Sequence, residues 1–315
     1  MKIAIMGTGG IGGYYGGLLS QCGEDVTFIA RGQHLQAIRE KGLQIKSAFG
    51  NFVFSPVKAT NKPSEAGPVD LIIVATKTYS TDDAAQAIKP MVGPDTVVMS
   101  LQNGVEAASR IGAVVGMEHM IGSATWISAA IEAPGIIGQY SQFRRIALGE
   151  LSGEKTPRIR KIHDALSKSG ATVELVEDIN KVLWTKYVFI SSVSAIGCLT
   201  RAAFGEYRHV PETRAMLAAA MAEVKEVAGA SGVALDADII AKTLSFIDSG
   251  DPGIKTSMQR DMEAGKVSQL ESMIGYVVLL GDKLKIQTPV MSFAYAMLKP
   301  GQIKALAMTQ QGSPR

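Results

Sequence analysis

Apolar residues in the first half of the chain fall in short runs of strand length that alternate with helix-like segments. Lys2-Ile3-Ala4-Ile5-Met6 is the first run and Val26-Thr27-Phe28-Ile29-Ala30 the second; an apolar, small-residue stretch of helical length lies between them, up to Gly23. Further strands are predicted over Val69–Ala75, Thr96–Leu101, Met120–Ile131, Gly135–Tyr140, Arg144–Leu148 and Ala171–Val176, with helices over Asp82–Pro90 and Pro157–Ser169. Strands that keep alternating with helices imply a parallel sheet covered on both faces. After about residue 177 the alternation stops. Helical segments follow over Asp178–Leu199, Pro211–Ser231, Ala237–Phe246, Ser268–Leu284 and Pro289–Leu298. The pattern predicts an α/β protein of two domains, a parallel-sheet domain over residues 1–176 and an all-helical one over 177–315. Residues 310–315 read as a frayed tail.

The first strand opens directly into Gly7-Thr8-Gly9-Gly10-Ile11-Gly12, a G-x-G-x-x-G turn between a strand and a helix. In a dinucleotide-binding βαβ unit each glycine has a mechanical task. Gly7 makes the tight turn, Gly9 lets the backbone approach a pyrophosphate, and Gly12 lets the helix pack against the strand. Free N–H groups and the helix dipole then hold the negative charge. The N-terminal domain is therefore of the Rossmann type, with Gly7, Thr8, Gly9, Gly10, Ile11 and Gly12 as candidate cofactor-binding residues. Arg31 ends the second strand, where an NAD-binding unit places an acid for the ribose 2′-hydroxyl; an arginine suits a 2′-phosphate. Glu24 and Asp25 precede that strand and lie at its wrong end. The expected cofactor is NADP(H). Ligands of such sheets bind beyond the C-terminal strand ends, so Gly7–Gly12, Lys77 and Asn103 are expected to line one crevice.

A chain of 315 residues accommodates two domains, and 46% hydrophobic with 19% charged residues is the composition of an ordinary globular enzyme. A net charge of +3 without a long Lys/Arg run gives no basis for nucleic-acid binding. No apolar stretch is read as reaching the ~18 residues of a membrane span. Cys22 and Cys198 are expected to be reduced and buried, and the four histidines lack metal-site spacing, so no metal is expected. The expected location is the cytoplasm.

Further motifs follow in order: Thr76-Lys77 and Gln102-Asn103-Gly104 at strand ends, then Leu183-Trp184-Thr185-Lys186, Ser257-Met258-x-x-Asp261, Gln269-Leu270-Glu271-x-x-x-Gly275 and Gln287-Thr288-Pro289-Val290. With these, the chain resembles the ketopantoate reductase (2-dehydropantoate 2-reductase) family over essentially its whole length. The resemblance implies NADPH-dependent reduction of a 2-oxo acid to a 2-hydroxy acid, a step of pantothenate biosynthesis, in a cleft between the domains. Hydride delivery to a ketone makes an alkoxide, which needs a positioned proton donor. By resemblance Lys186 is that acid and polarises the carbonyl. Lys77 is implied near the nicotinamide ribose or substrate, Asn103 as a hydrogen-bonder to either, and Ser257 on the substrate carboxylate.

Three positions depart from the family pattern. One and two helical turns past Lys186, ketopantoate-specific members carry asparagines that hold the substrate's terminal hydroxyl, and positions four and eight apart share a helix face. This chain has Ile190 and Ser194 there. The family's supporting glutamate is replaced by Gln269, with Glu271 two residues later; a neutral amide stabilises an ammonium less than a carboxylate does. The substrate-facing set is thus Asn103, Lys186, Ile190, Ser194, Ser257 and Gln269, in a pocket altered toward a less polar substrate. Two other readings stand beside this one: a 2-hydroxy acid or imine oxidoreductase of secondary metabolism, and an NADP-binding redox-sensing regulator without turnover. The expected partner is a small-molecule 2-oxo acid, with no nucleic acid and no membrane; a homodimer is admissible.

Overall fold

A computed structural model describes residues 1–311. The chain divides into two units: Met1–Gln102 with Glu106–Asn180, and Asn103–Val105 with the chain from Lys181 onward. In the first unit β1 (Lys2–Met6), α1 (Gly10–Gln21), β2 (Asp25–Ile29), α2 (Gly32–Lys41), β3 (Leu43–Ser47), β4 (Phe52–Phe54), β5 (Lys58–Thr60), β6 (Leu71–Val74), α3 (Thr81–Ile88) and β7 (Val97–Ser100) come first. They are followed by α4 (Ala107–Val115), β8 (Gly122–Trp126), β9 (Ala129–Ala133), β10 (Ile136–Gln139), β11 (Arg145–Gly149), α5 (Pro157–Lys168) and β12 (Thr172–Leu175).

The main sheet has the order β5-β2-β1-β6-β7 and is parallel throughout. Every residue of β6 and β7 is buried, as a sheet covered on both faces requires. The chain winds one way from β1 to β2 and the other way from β6 to β7, so the strand order reverses between β1 and β6. Crevices open beyond the C-terminal strand ends at such a reversal. A second sheet, β4-β3-β10-β9, lies on the other side of α1. A Cβ on Gly12 would come within 2.9 Å of Ile5 in β1, and one on Gly13 within 2.8 Å of Ile137 in β10. Glycines on two faces let the helix fit between both sheets.

The second unit is helical: α6 (Ile179–Thr200, whose first two residues belong to the first unit), α7 (Phe204–Tyr207), α8 (Pro211–Ala230), α9 (Ile239–Ser249) and α10 (Ser257–Glu263). A π-helical turn (Glu271–Gly275), α11 (Tyr276–Leu284) and α12 (Pro289–Gln311) complete it. Its core gathers Tyr187 and Val188 from α6, Leu217 and Met221 from α8, Ile274 from the π turn and Met291 from α12. Glu223 of α8 is buried and accepts the backbone N–H groups of Val290 (2.7 Å) and Met291 (2.9 Å), capping α12.

Several sequence expectations change. Met120–Ile131 is not one strand but β8 and β9, which pair with different strands, β11 and β10. α12 does not stop at Leu298: it runs on through Pro300, because Gln302 is buried and clamped to Ser268 by three hydrogen bonds of 2.8 to 3.1 Å. One missing N–H is a smaller loss than unwinding that contact. It reaches Gln311, so residues 310 and 311 continue the helix, and the rest of the expected tail lies outside the described residues. The Ser268–Leu284 helix is interrupted by the π turn. Cys22 is exposed, because it is the C-terminal cap residue of α1 and lies beyond that helix's buried faces; Cys198 is buried. Finally, α6 is long and apolar enough to cross a membrane by length and composition, contrary to the sequence reading, with 61% of its most apolar stretch buried inside the protein. Its apolarity belongs to the core of the second unit.

Candidate active site

The glycine turn is built as a dinucleotide turn requires. Gly7 has φ +99°, and a Cβ there would meet Thr76 at 2.7 Å. A Cβ on Gly12 would lie 2.2 Å from the carbonyl oxygen of Gly7, so any larger residue would break the turn. Gly9 faces open space, with nothing within 4 Å of the Cβ position. Thr8 is buried, and both its N–H (3.1 Å) and its hydroxyl (3.0 Å) donate to the Ile29 carbonyl, so its side chain fastens the turn to β2. No side chain caps α1 and its first turn holds no acid, which leaves its N-terminus open to an anion.

A cavity of about 250 Å³ lies against this turn. Gly7 and Thr8, Ala30 and Arg31 after β2, and Thr76 after β6 line it. Arg31 is exposed, and its guanidinium has no hydrogen-bond or ion-pair partner among the described residues. At the far ends of the same strands, Glu24 holds the N-terminal ammonium and Asp25 holds Lys58 at 2.6 Å, so neither acid competes for the cavity. These residues fit a dinucleotide carrying an anion beside Arg31. Lys77 is not among the residues that line this cavity. The chain enters a 3₁₀ turn at Thr78–Ser80, which brings Ser80 to the wall and leaves Lys77 exposed. Asn103 belongs with the second unit and is not among the residues that line this cavity.

Sequence reasoning missed Ser80 and Asp83 of the α3 start, His34 and Ile131 in the same wall. The only available signal was spacing: His34 lies one turn past Arg31, and Asp83 one turn past Ser80. His34 Nδ1 accepts the Gly135 N–H at 3.0 Å, which assigns its ring proton to Nε2. Burial holds its pKa below the ordinary value. Gln102 fixes the wall from behind, its amide donating to the Thr76 carbonyl (3.0 Å) and hydroxyl (3.2 Å).

In the second unit Lys186 Nζ donates to Asn103 Oδ1 at 2.8 Å. The residue is half-buried, but the protein around its ammonium disfavours the charged form and pulls its pKa down from 10.5 to about 8. Its neighbours are fixed. Trp184 and Tyr187 pack edge to face, and the Tyr187 hydroxyl donates to the Ser272 carbonyl in the π turn at 2.6 Å. Gly104, at φ +101°, sits over the same turn, with Met273 3.5 Å from where its Cβ would be. A lysine that exchanges its proton near neutral pH, held by a strand-end amide, can serve a carbonyl as an acid.

Residues 3–153 match the ketopantoate reductase PanE/ApbA family, and residues 178–302 match that family's C-terminal region. This chain belongs to the ketopantoate reductase family. The 2-dehydropantoate 2-reductase of Pyrococcus abyssi is 32% identical over 305 residues, covering 95% of this chain and 97% of the relative. The crystal structure of a PanE/ApbA family ketopantoate reductase from Ralstonia eutropha superposes with a TM-score of 0.89 at 28% identity, covering 97% of this chain and 100% of that one. D-mandelate dehydrogenase in a ternary structure with NADH and anilino(oxo)acetate gives a TM-score of 0.89 at 25% identity, covering 97% and 99%.

Within this ketopantoate reductase fold the departing positions acquire surroundings. Ile190 is half-buried on α6, one turn past Lys186. Ser194 is buried, its hydroxyl unpartnered among the described residues. Gln269 is buried just before the π turn. Glu271 does not replace the missing carboxylate: it holds Lys299 at 2.5 Å and the Tyr295 hydroxyl at 2.7 Å, both on α12. Ser257 is the first residue of α10, but Thr256 provides the cap, accepting the Gln259 N–H at 3.1 Å. The Ser257 hydroxyl is left without a partner among the described residues.

Proposed function

We propose that this protein reduces a 2-oxo acid to the 2-hydroxy acid with NADPH, with Lys186 as the general acid, on a substrate less polar than ketopantoate. The observation that carries the reading is Lys186, lowered to about 8 by burial and bound to Asn103 at 2.8 Å. When bound, the nicotinamide supplies a hydride to the carbonyl carbon. Lys186 donates its proton to the carbonyl oxygen, so the alkoxide leaves as a hydroxyl and the lysine is left as a neutral amine. Asn103 holds the ammonium in place, and its amide NH₂ is available to a substrate or ribose oxygen. The glycine turn and Arg31 hold the cofactor's phosphates, Lys77 serves the nicotinamide ribose or the substrate, and the Ser257 hydroxyl holds the substrate carboxylate, with Gln269 as a further substrate contact. The reading requires Lys186 and the glycine turn to serve one substrate. A regulator without turnover has no use for an acid tuned toward neutral pH, which favours the enzyme.

Support for a less polar substrate comes from Ile190, which offers no hydrogen bond where family members specific for ketopantoate place an asparagine. Burying a substrate hydroxyl against it leaves the hydroxyl unpaired, a loss of ~1–3 kcal/mol. A neighbour described with anilino(oxo)acetate, an oxoacetate carrying an aromatic group, points the same way. We expect 2-oxoisovalerate to be reduced at least as well as ketopantoate in kcat/KM, and Ile190→Asn to move that ratio toward ketopantoate by about tenfold. A wild-type preference for ketopantoate above about tenfold would overturn the assignment of Ile190.

The acid also sets a pH dependence. Only the ammonium donates, so kcat/KM for reduction is full below the Lys186 pKa and falls as pH rises through about 8. Oxidation of the 2-hydroxy acid needs the neutral amine and rises over the same range. Steady-state rates in both directions check this, and parallel profiles in the two directions would contradict it.

A further inference from the structure

The cavity beside the glycine turn carries two charges of opposite sign, Arg31 from the end of β2 and Asp83 from the first turn of α3. Neither bonds the other, and neither has a hydrogen-bond or ion-pair partner among the described residues. The preceding acid behaves differently: Asp82 is held by Arg110 through two bonds of 3.0 and 2.8 Å and lies outside the cavity. Both acids complement the dipole of α3, but only Asp82 also anchors α4 through Arg110; the Asp83 carboxylate makes no such contact. Ser80, also in the wall, is the N-cap residue of α3, yet its hydroxyl does not cap the helix. Serine at that position ordinarily accepts an N–H from the first turn, so its hydroxyl here is free for a ligand. Ala84 and Ile131 add apolar surface to the same wall.

This set asks for one ligand with an anion toward Arg31, a flat apolar body, and a hydrogen-bond donor toward Asp83. A carboxylate can only accept, and a serine hydroxyl can donate. We propose that Asp83 and Ser80 read the adenine base of the cofactor: Asp83 accepts from the exocyclic 6-amino group and Ser80 donates to the adjoining ring nitrogen. A base with a 6-oxo group would set its carbonyl lone pairs against the carboxylate. Asp83 is thus a specificity-determining residue for the base, as Arg31 is for the ribose phosphate. The inference rests on the cofactor reading above, but concerns a different part of the same ligand.

The test is equilibrium binding, without turnover, of NADPH and of its hypoxanthine counterpart, in which the 6-amino group is replaced by a carbonyl oxygen and ring N1 carries a hydrogen. Wild type is expected to bind NADPH about tenfold or more tightly than the counterpart, the discrimination typical of a hydrogen bond to a charged group. Asp83→Asn keeps the size and presents an amide that can donate to a 6-oxo group, so the ratio should fall to near unity or reverse. Asp82→Asn should keep the wild-type ratio, and Arg31→Ala should weaken both ligands while leaving their ratio unchanged. Equal binding of the two by wild type, or an unchanged ratio in Asp83→Asn, overturns the proposal and leaves the cofactor reading standing. Failure of wild type to bind either dinucleotide overturns both.

Discussion

Lys186→Ala is expected to lower kcat for 2-oxo acid reduction by about 10²–10⁴-fold, the usual contribution of a positioned acid, with little change in NADPH affinity. The size follows from the chemistry: without a proton donor the developing alkoxide must find its proton in water, and the polarising charge is lost together with the acid. Cofactor affinity is expected to be spared because the proposed phosphate site is built from the glycine turn and Arg31 of the first unit, whereas Lys186 belongs to the second. The side chain is half-buried and its Nζ donates to Asn103, while α6 is held chiefly by the apolar core of the second unit, so its removal is not expected to unfold that helix. Measuring kcat together with the NADPH dissociation constant separates the outcomes. A variant that keeps most of its turnover would move the acid elsewhere, and one that loses cofactor binding would make Lys186 a binding residue.

Arg31→Ala is expected to weaken NADPH binding by about 10- to 150-fold and to leave NADH binding nearly unchanged, since a charge-assisted bond to phosphate contributes ~1.5–3 kcal/mol. The guanidinium has no partner among the described residues to release, so the whole effect should appear in the phosphorylated cofactor. D-mandelate dehydrogenase, with a similar fold, is described with NADH, so the fold accommodates the other cofactor and the choice rests on local residues. Equal affinities of wild type for the two cofactors would contradict the assignment.

What the sequence made legible is what local physics dictates. The β1–turn–α1–β2 unit follows from a strand-length run, three glycines with separate tasks, and an arginine in place of an acid. In the structure the same glycines show a positive φ at Gly7, contacts too close for a Cβ at Gly12 and open space at Gly9. Elements fixed by partners far along the chain were harder. Nothing local says that α12 continues past Pro300, because the reason is a buried Gln302 clamped to Ser268. The same holds for the break between β8 and β9, imposed by their pairing with different strands. The candidate site divides likewise. Lys186 was visible through the Leu-Trp-x-Lys setting, but its hold on Asn103 spans 83 residues and its lowered pKa comes from burial. Ser80 and Asp83 carried no motif, and they stand out only because a 3₁₀ turn carries Ser80, rather than Lys77, into the wall.

The central claim is reduction of a 2-oxo acid by NADPH, and it is tested most directly by following NADPH oxidation across a panel of 2-oxo acids. The panel should run from ketopantoate to 2-oxoisovalerate and an aromatic oxoacetate, with NADPH binding measured in parallel. The account predicts turnover on the less polar members that disappears in Lys186→Ala. NADPH that binds wild type and stays unoxidised with every member of the panel would contradict it.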